Sequence, residues 1–88
     1  MRIGMIHLTE RFEKEYRRLP KTVKETTQKK ETIFRENPFD PRLETHKLHG
    51  KDKEAWSFSV NRLYRVKFIF LTSQSVLFLE VGTHEIYR

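Results

Sequence analysis

The feature that most constrains this chain is a change of hydrophobic period at Asn37-Pro38-Phe39-Asp40-Pro41. Each proline pushes the residue before it toward extended geometry, so no helix continues through this segment. Before it, apolar residues recur every three to four positions. After it, they alternate. Helices come first and strands follow, which predicts an α+β domain with helices on one face of a sheet.

Residues 3–8 read as a short first strand. Thr9 is placed to cap a helix, with Glu10 at the positive end of its dipole. Phe12, Tyr16 and Leu19 then form an apolar stripe that Leu19-Pro20 ends. Residues 21–36 predict a second helix, with Pro20 at its start and a capping box between Thr22 and Glu25. Its stripe is Val23, Thr27, Lys30 and Phe34, with Ile33 beside it. Lys30 is expected to lay its methylenes on apolar surface. The short link between the helices predicts an antiparallel helix hairpin.

Beyond the break, residues 43–48 predict a strand and residues 50–53 a turn. Trp56, Phe58 and Val60 alternate with Ser57 and Ser59, the pattern of a half-buried strand. Asn61-Arg62 makes a tight connection. Tyr64, Val66, Phe68 and Phe70 then share one face, with Arg65 and Lys67 on the other. The last strand sets Leu77, Leu79 and Val81 against Val76, Phe78 and Glu80. The predicted order is β-α-α-β-β-β-β: a helix hairpin packed on one face of a small, mostly antiparallel, twisted sheet. The core is expected from Phe12, Tyr16, Leu19, Val23, Ile33, Phe34, Trp56, Phe58, Val60, Tyr64, Val66, Phe68 and Leu79. The second sheet face, carrying Arg65 and Lys67, is expected to be exposed and cationic.

With 88 residues the chain is read as one domain, 1–88. Eighteen Lys and Arg against 12 Asp and Glu give a formal charge of +6. That favours a polyanionic partner. No cysteine is present, which excludes disulfides and thiolate metal sites. No apolar run nears the ~20 residues that span a bilayer, so no membrane is expected. Residues 1–8 are too short and broken for a signal peptide, and a cytoplasmic location is expected.

The strongest functional signal is Gly82-Thr83-His84-Glu85-Ile86-Tyr87, which follows directly on the last strand. Imidazole gives and takes protons near neutrality. The preceding hairpin brings Arg65 and Lys67 toward that strand. Chemistry on a phosphodiester, which a polyanionic partner such as nucleic acid would offer, needs a base, an acid for the leaving oxygen, and cations around the transition state. His84 suits the acid or base role, and His46 is a second candidate. Arg65 can grip phosphate oxygens through two N–H groups, as lysine cannot. Lys47 can add a point charge to the same phosphate, and Tyr87 can stack on a base or donate to a phosphate. Lys67, His49 and Lys51 are expected to extend the surface that a nucleic acid would contact. No carboxylate or cysteine sits at convincing spacing from His46 and His49, so no metal or other cofactor is expected.

Four local patterns in this order resemble the RelE/ParE superfamily of bacterial and archaeal toxins. They are Phe12-Glu13-Lys14-Glu15-Tyr16-Arg17-Arg18-Leu19-Pro20, His46-Lys47-Leu48-His49-Gly50, Tyr64-Arg65-Val66, and the Gly82–Tyr87 ending. The ending is more similar to the ribonuclease toxins of the RelE and YafQ type than to the gyrase poisons of the ParE type. The resemblance implies a toxin that cuts messenger RNA in the ribosomal A site, against 16S rRNA, without a metal. The 2′-hydroxyl would attack the adjacent phosphate and leave a 2′,3′-cyclic phosphate. It also implies a cognate antitoxin, and operator DNA bound by the pair. Two other readings stay open: a gyrase-directed toxin without nuclease activity, and an inactive relative that binds only antitoxin and operator.

Overall fold

The computed structural model describes residues 1–50 and 54–87, without the side chains of Glu85 and Tyr87. The order is β1 (Met5–Leu8), α1 (Glu10–Arg17), α2 (Lys21–Glu36), a 3-10 turn (Pro41–Leu43), β2 (His46–Lys47), β3 (Trp56–Ser59), β4 (Arg65–Phe70), β5 (Ser75–Gly82) and a final 3-10 turn (His84–Tyr87). The strands form one sheet in the order β1-β5-β4-β3-β2. β1 runs parallel to β5, and every other pairing is antiparallel. This is the predicted α+β layering.

Thr9 is the cap expected from the sequence, and its Oγ1 accepts from the Phe12 N–H at 2.9 Å. The same hydroxyl donates to the Leu79 carbonyl at 2.8 Å, which fixes where α1 leaves the sheet. Past Leu8 the outer edge of β5 has no strand beside it, and α1 takes over. Glu15 Oε1 accepts from the Val81 N–H at 3.1 Å and so satisfies an edge donor. α2 starts at Pro20 with no side-chain cap, so the Thr22–Glu25 capping box does not form. Pro20 itself occupies the cap position. Thr22 lies inside the helix, and its carbonyl accepts from Thr26 Oγ1.

Phe34 of α2 centres the core. It is fully buried, with ring centroids 5.0 Å from Phe58, 5.0 Å from Phe68 and 5.4 Å from Phe78. Burying one such ring stabilises by about 2–3 kcal/mol. Thr27, a weak position in the helical stripe, is buried and back-bonded to the Val23 carbonyl at 2.7 Å. Most of the predicted core is buried or packed against it, and Ile3, Leu43, Val76, Phe78 and Val81 join it.

Two expectations change. Residues 43–48 do not form one strand. Asp40 accepts from the Arg42 N–H and starts a 3-10 turn, and Glu44 then adopts a left-handed backbone (φ 51°). Only His46 and Lys47 remain to pair with β3. Leu79 is also not a core residue. Opposite β4 the register slips between Lys67 and Phe68, so Lys67 faces Glu80 while Phe68 faces Phe78. Leu79 is the extra residue of that bulge, and the core side passes from Val76 and Phe78 to Val81.

Candidate functional site

Sheet register decides which side chains share the second face. Paired residues point the same way, so His46, Ser57, Lys67 and Glu80 form one row across β2, β3, β4 and β5. Ser59, Arg65 and Gly82 form the next row. Arg65 is therefore held at the end of the sheet where β5 runs out toward His84.

Arg65 is fixed by the β3–β4 turn. Its Nη1 donates to Ser59 Oγ at 3.2 Å, to the Tyr64 carbonyl at 3.1 Å and to the Asn61 carbonyl. Asn61 builds that turn, because its Oδ1 accepts from the Leu63 and Tyr64 N–H groups at 2.9 and 2.8 Å. An arginine tethered through one nitrogen keeps Nε and Nη2 to present elsewhere. Its guanidinium lines a groove of about 400 Å³ together with Lys30, Glu44, Ser59, Asn61 and Arg62.

Glu44 was missed by sequence reasoning. It has a left-handed backbone and lines the groove, and the His46 ring nitrogen Nδ1 lies 3.1 Å from the Glu44 carbonyl. Nothing in Leu43-Glu44-Thr45 marks that geometry. A carboxylate two residues from a candidate histidine was the available signal.

The C-terminal turn folds back against β4 and β5. Ile86 is buried, and Gly82 makes room for it: a Cβ at Gly82 would stand 2.9 Å from Ile86 Cγ2. His84, exposed at the start of this turn, follows two residues after Gly82, the register partner of Arg65. The hairpin thus brings His84 and Arg65 to one end of the sheet.

The remaining expected residues are distributed differently. Lys47 pairs with Trp56 and lies with its Nζ 6.0 Å from the centre of that ring, on the helix side of the sheet. It does not share the Arg65 face, because neighbouring strand residues point to opposite sides. Lys67 is on the expected face but is not exposed. It is 5% accessible and pairs with Glu80 at 3.4 Å, and Glu80 also holds Arg11 of α1 at 3.0 Å. The second face is therefore not an open cationic sheet around Lys67. His46 and His49 are exposed on either side of Lys47. Lys51 and the side chain of Tyr87 lie outside the described residues. Among the described residues no group of three His, Asp or Glu side chains is placed to hold a metal.

Beside the groove, Arg42 donates from Nε and Nη2 to the two Asp40 carboxylate oxygens, each at 3.0 Å. That bidentate contact, with the Arg42 backbone N–H, lowers the Asp40 pKa to about 2. The same pairing raises that of Arg42.

No family profile matches the chain, and no curated protein sequence is similar to it. Solved structures are. YafQ from E. coli strain BL21(DE3) superposes with a TM-score of 0.76 at 20% identity, covering 98% of this chain and 97% of its own. A YoeB/ParE toxin from Agrobacterium tumefaciens gives 0.77 at 17% identity, covering 96% and 99%. The archaeal RelE of a RelE–RelB complex from Pyrococcus horikoshii OT3 gives 0.72 at 16%, covering 94% and 96%. The chain has the fold of the RelE/ParE toxins over nearly its whole length.

Proposed function

We propose that this protein is the toxin of a toxin–antitoxin pair and that it cuts messenger RNA by attack of a 2′-hydroxyl on the adjacent phosphate. The observation that carries the reading is the groove at the end of β4. Arg65, its guanidinium fixed by three hydrogen bonds, lines it together with Glu44, and the adjoining strand delivers a histidine to the same end of the sheet.

Each group has a chemical role. Arg65 holds the non-bridging oxygens and offsets the charge that grows on them in the transition state. Glu44 takes the proton of the attacking 2′-hydroxyl, with His46 beside it. His84 gives a proton to the departing 5′-oxygen. The products are a 2′,3′-cyclic phosphate and a free 5′-hydroxyl. A deoxyribose cannot enter this reaction, because it has no internal nucleophile. The ribosomal A site, with 16S rRNA around it, is the place of cleavage in this reading. Structural neighbours solved as toxin–antitoxin complexes support a cognate antitoxin; in this reading the antitoxin silences the site and the pair binds operator DNA.

Induction in cells, followed by mapping of transcript 5′ ends, tests the function. Growth arrest with new cuts inside coding regions is expected. Arrest with intact transcripts and blocked DNA gyrase would favour a toxin that is not a nuclease. No arrest would leave an inactive relative.

A further inference from the structure

Two cations in the groove have no part in the chemistry just described. Lys30 projects from α2, where its Nζ donates to the Arg42 carbonyl at 3.0 Å. That single contact orients the ammonium and leaves two of its three donors. Arg62 is exposed at the tip of the β3–β4 turn. Neither forms an ion pair among the described residues, whereas Arg2, Arg11, Arg35, Arg42 and Lys67 all do. The nearby Asp40 carboxylate is already engaged on both oxygens by Arg42.

We infer that Lys30 and Arg62 bind the phosphodiester next to the one held by Arg65, so that the RNA backbone runs along the groove between α2 and the β3–β4 turn. This rests on the RNA-cleaving reading and adds the path of the strand to it. Lys30 and Arg62 come from separate elements and line the same groove as Arg65, the arrangement that follows a backbone and not an isolated anion. Contacts of this kind position a strand without reading its bases. They therefore supply register and affinity, and their strength falls with salt.

The test uses a short single-stranded RNA with every 2′-hydroxyl methylated, which binds but cannot be cut. Its affinity for the full chain is followed by fluorescence anisotropy between low and physiological salt. Lys30→Gln and Arg62→Gln should each reduce the slope of log affinity against log salt by about 0.7, and the double variant by about twice that. Lys30→Arg should keep the wild-type slope, and thermal melting checks that each variant is folded. A folded double variant with the wild-type slope overturns the inference, as does a wild-type protein that binds no RNA at low salt. A wild-type protein that binds with the expected slope but cuts no message overturns the cleavage reading and leaves the groove standing.

Discussion

The Lys67 ammonium lies 3.4 Å from the Glu80 carboxylate, and the two side chains are only 6% and 13% exposed. Glu80 carries a second cation, Arg11, at 3.0 Å. One half-buried carboxylate thus joins the sheet interior to α1. Removing Glu80 takes from a poorly solvated place the carboxylate that two cations share. Glu80→Gln should cost on the order of 3–5 kcal/mol in urea unfolding. Replacing both partners, Lys67→Met with Glu80→Leu, should cost far less than the two single changes added together. Single variants within about 0.5 kcal/mol of wild type would show that the pair is screened by solvent after all.

Gly82 and Ile86 predict a steric switch on the C-terminal turn. Gly82→Ala puts a methyl group 2.9 Å from Ile86 Cγ2, so the Ile86 side chain or the turn that carries it must shift. Overpacking of this sort costs about 1–3 kcal/mol. His84 lies on the same turn, and a shift of the turn should lower single-turnover cleavage by about tenfold to a hundredfold. Ile86→Ala in the same chain should restore most of the rate. If the double variant stays as slow as Gly82→Ala, the clash is not what positions His84.

The Asp40–Arg42 contact predicts an acid dependence. The folded carboxyl has a pKa of about 2, lowered chiefly by hydrogen bonds from the Arg42 side chain. In the unfolded chain it titrates near the ordinary value of about 3.9. The stabilisation is therefore fully present above about pH 4 and is lost as pH falls through about 2. Asp40→Asn should lower the melting temperature at pH 7. At pH 2 the gap between variant and wild type should narrow. An equal gap at both pH values would assign the effect to something other than the ionised carboxylate.

The chemical roles separate by substitution. His84→Gln and Glu44→Gln should each slow cleavage by about 10²–10⁴, since glutamine forms hydrogen bonds but does not exchange a proton near neutrality. Arg65→Ala should cost about 10²–10³ through lost charge stabilisation. Arg65→Lys should recover only part of that, because the forked donor geometry is gone. Folding is checked by circular dichroism. A folded His84→Gln that cuts at the wild-type rate would pass the acid role to another group, with His46 the next candidate.

The layering was legible because its signals were local. The double proline break, the Thr9 cap and the alternation through Trp56, Phe58, Val66 and Phe68 each read correctly from neighbouring residues. What the sequence hid depended on register. Leu79 fits an alternating strand, yet a bulge removes it from the core, and no residue type announces the slip. Lys47 and His46 are adjacent, so the start of a two-residue strand decides which of them shares the face of Arg65. Lys67 reads as a solvated charge until its cross-strand partner is known to be Glu80. Glu44 lines the groove from a left-handed backbone position, and its neighbours do not encode that visibly.

The central claim, that this chain cuts RNA through its own 2′-hydroxyl, is tested most directly by the ends it leaves. Purified protein is mixed with ribosomes carrying a defined message, and the fragments are analysed by mass. The account predicts an upstream fragment ending in a 2′,3′-cyclic phosphate and a downstream fragment starting with a 5′-hydroxyl. It also predicts that one deoxyribose at the cut position abolishes cleavage there. Fragments with a 5′-phosphate, or cutting unaffected by that deoxyribose, would contradict it.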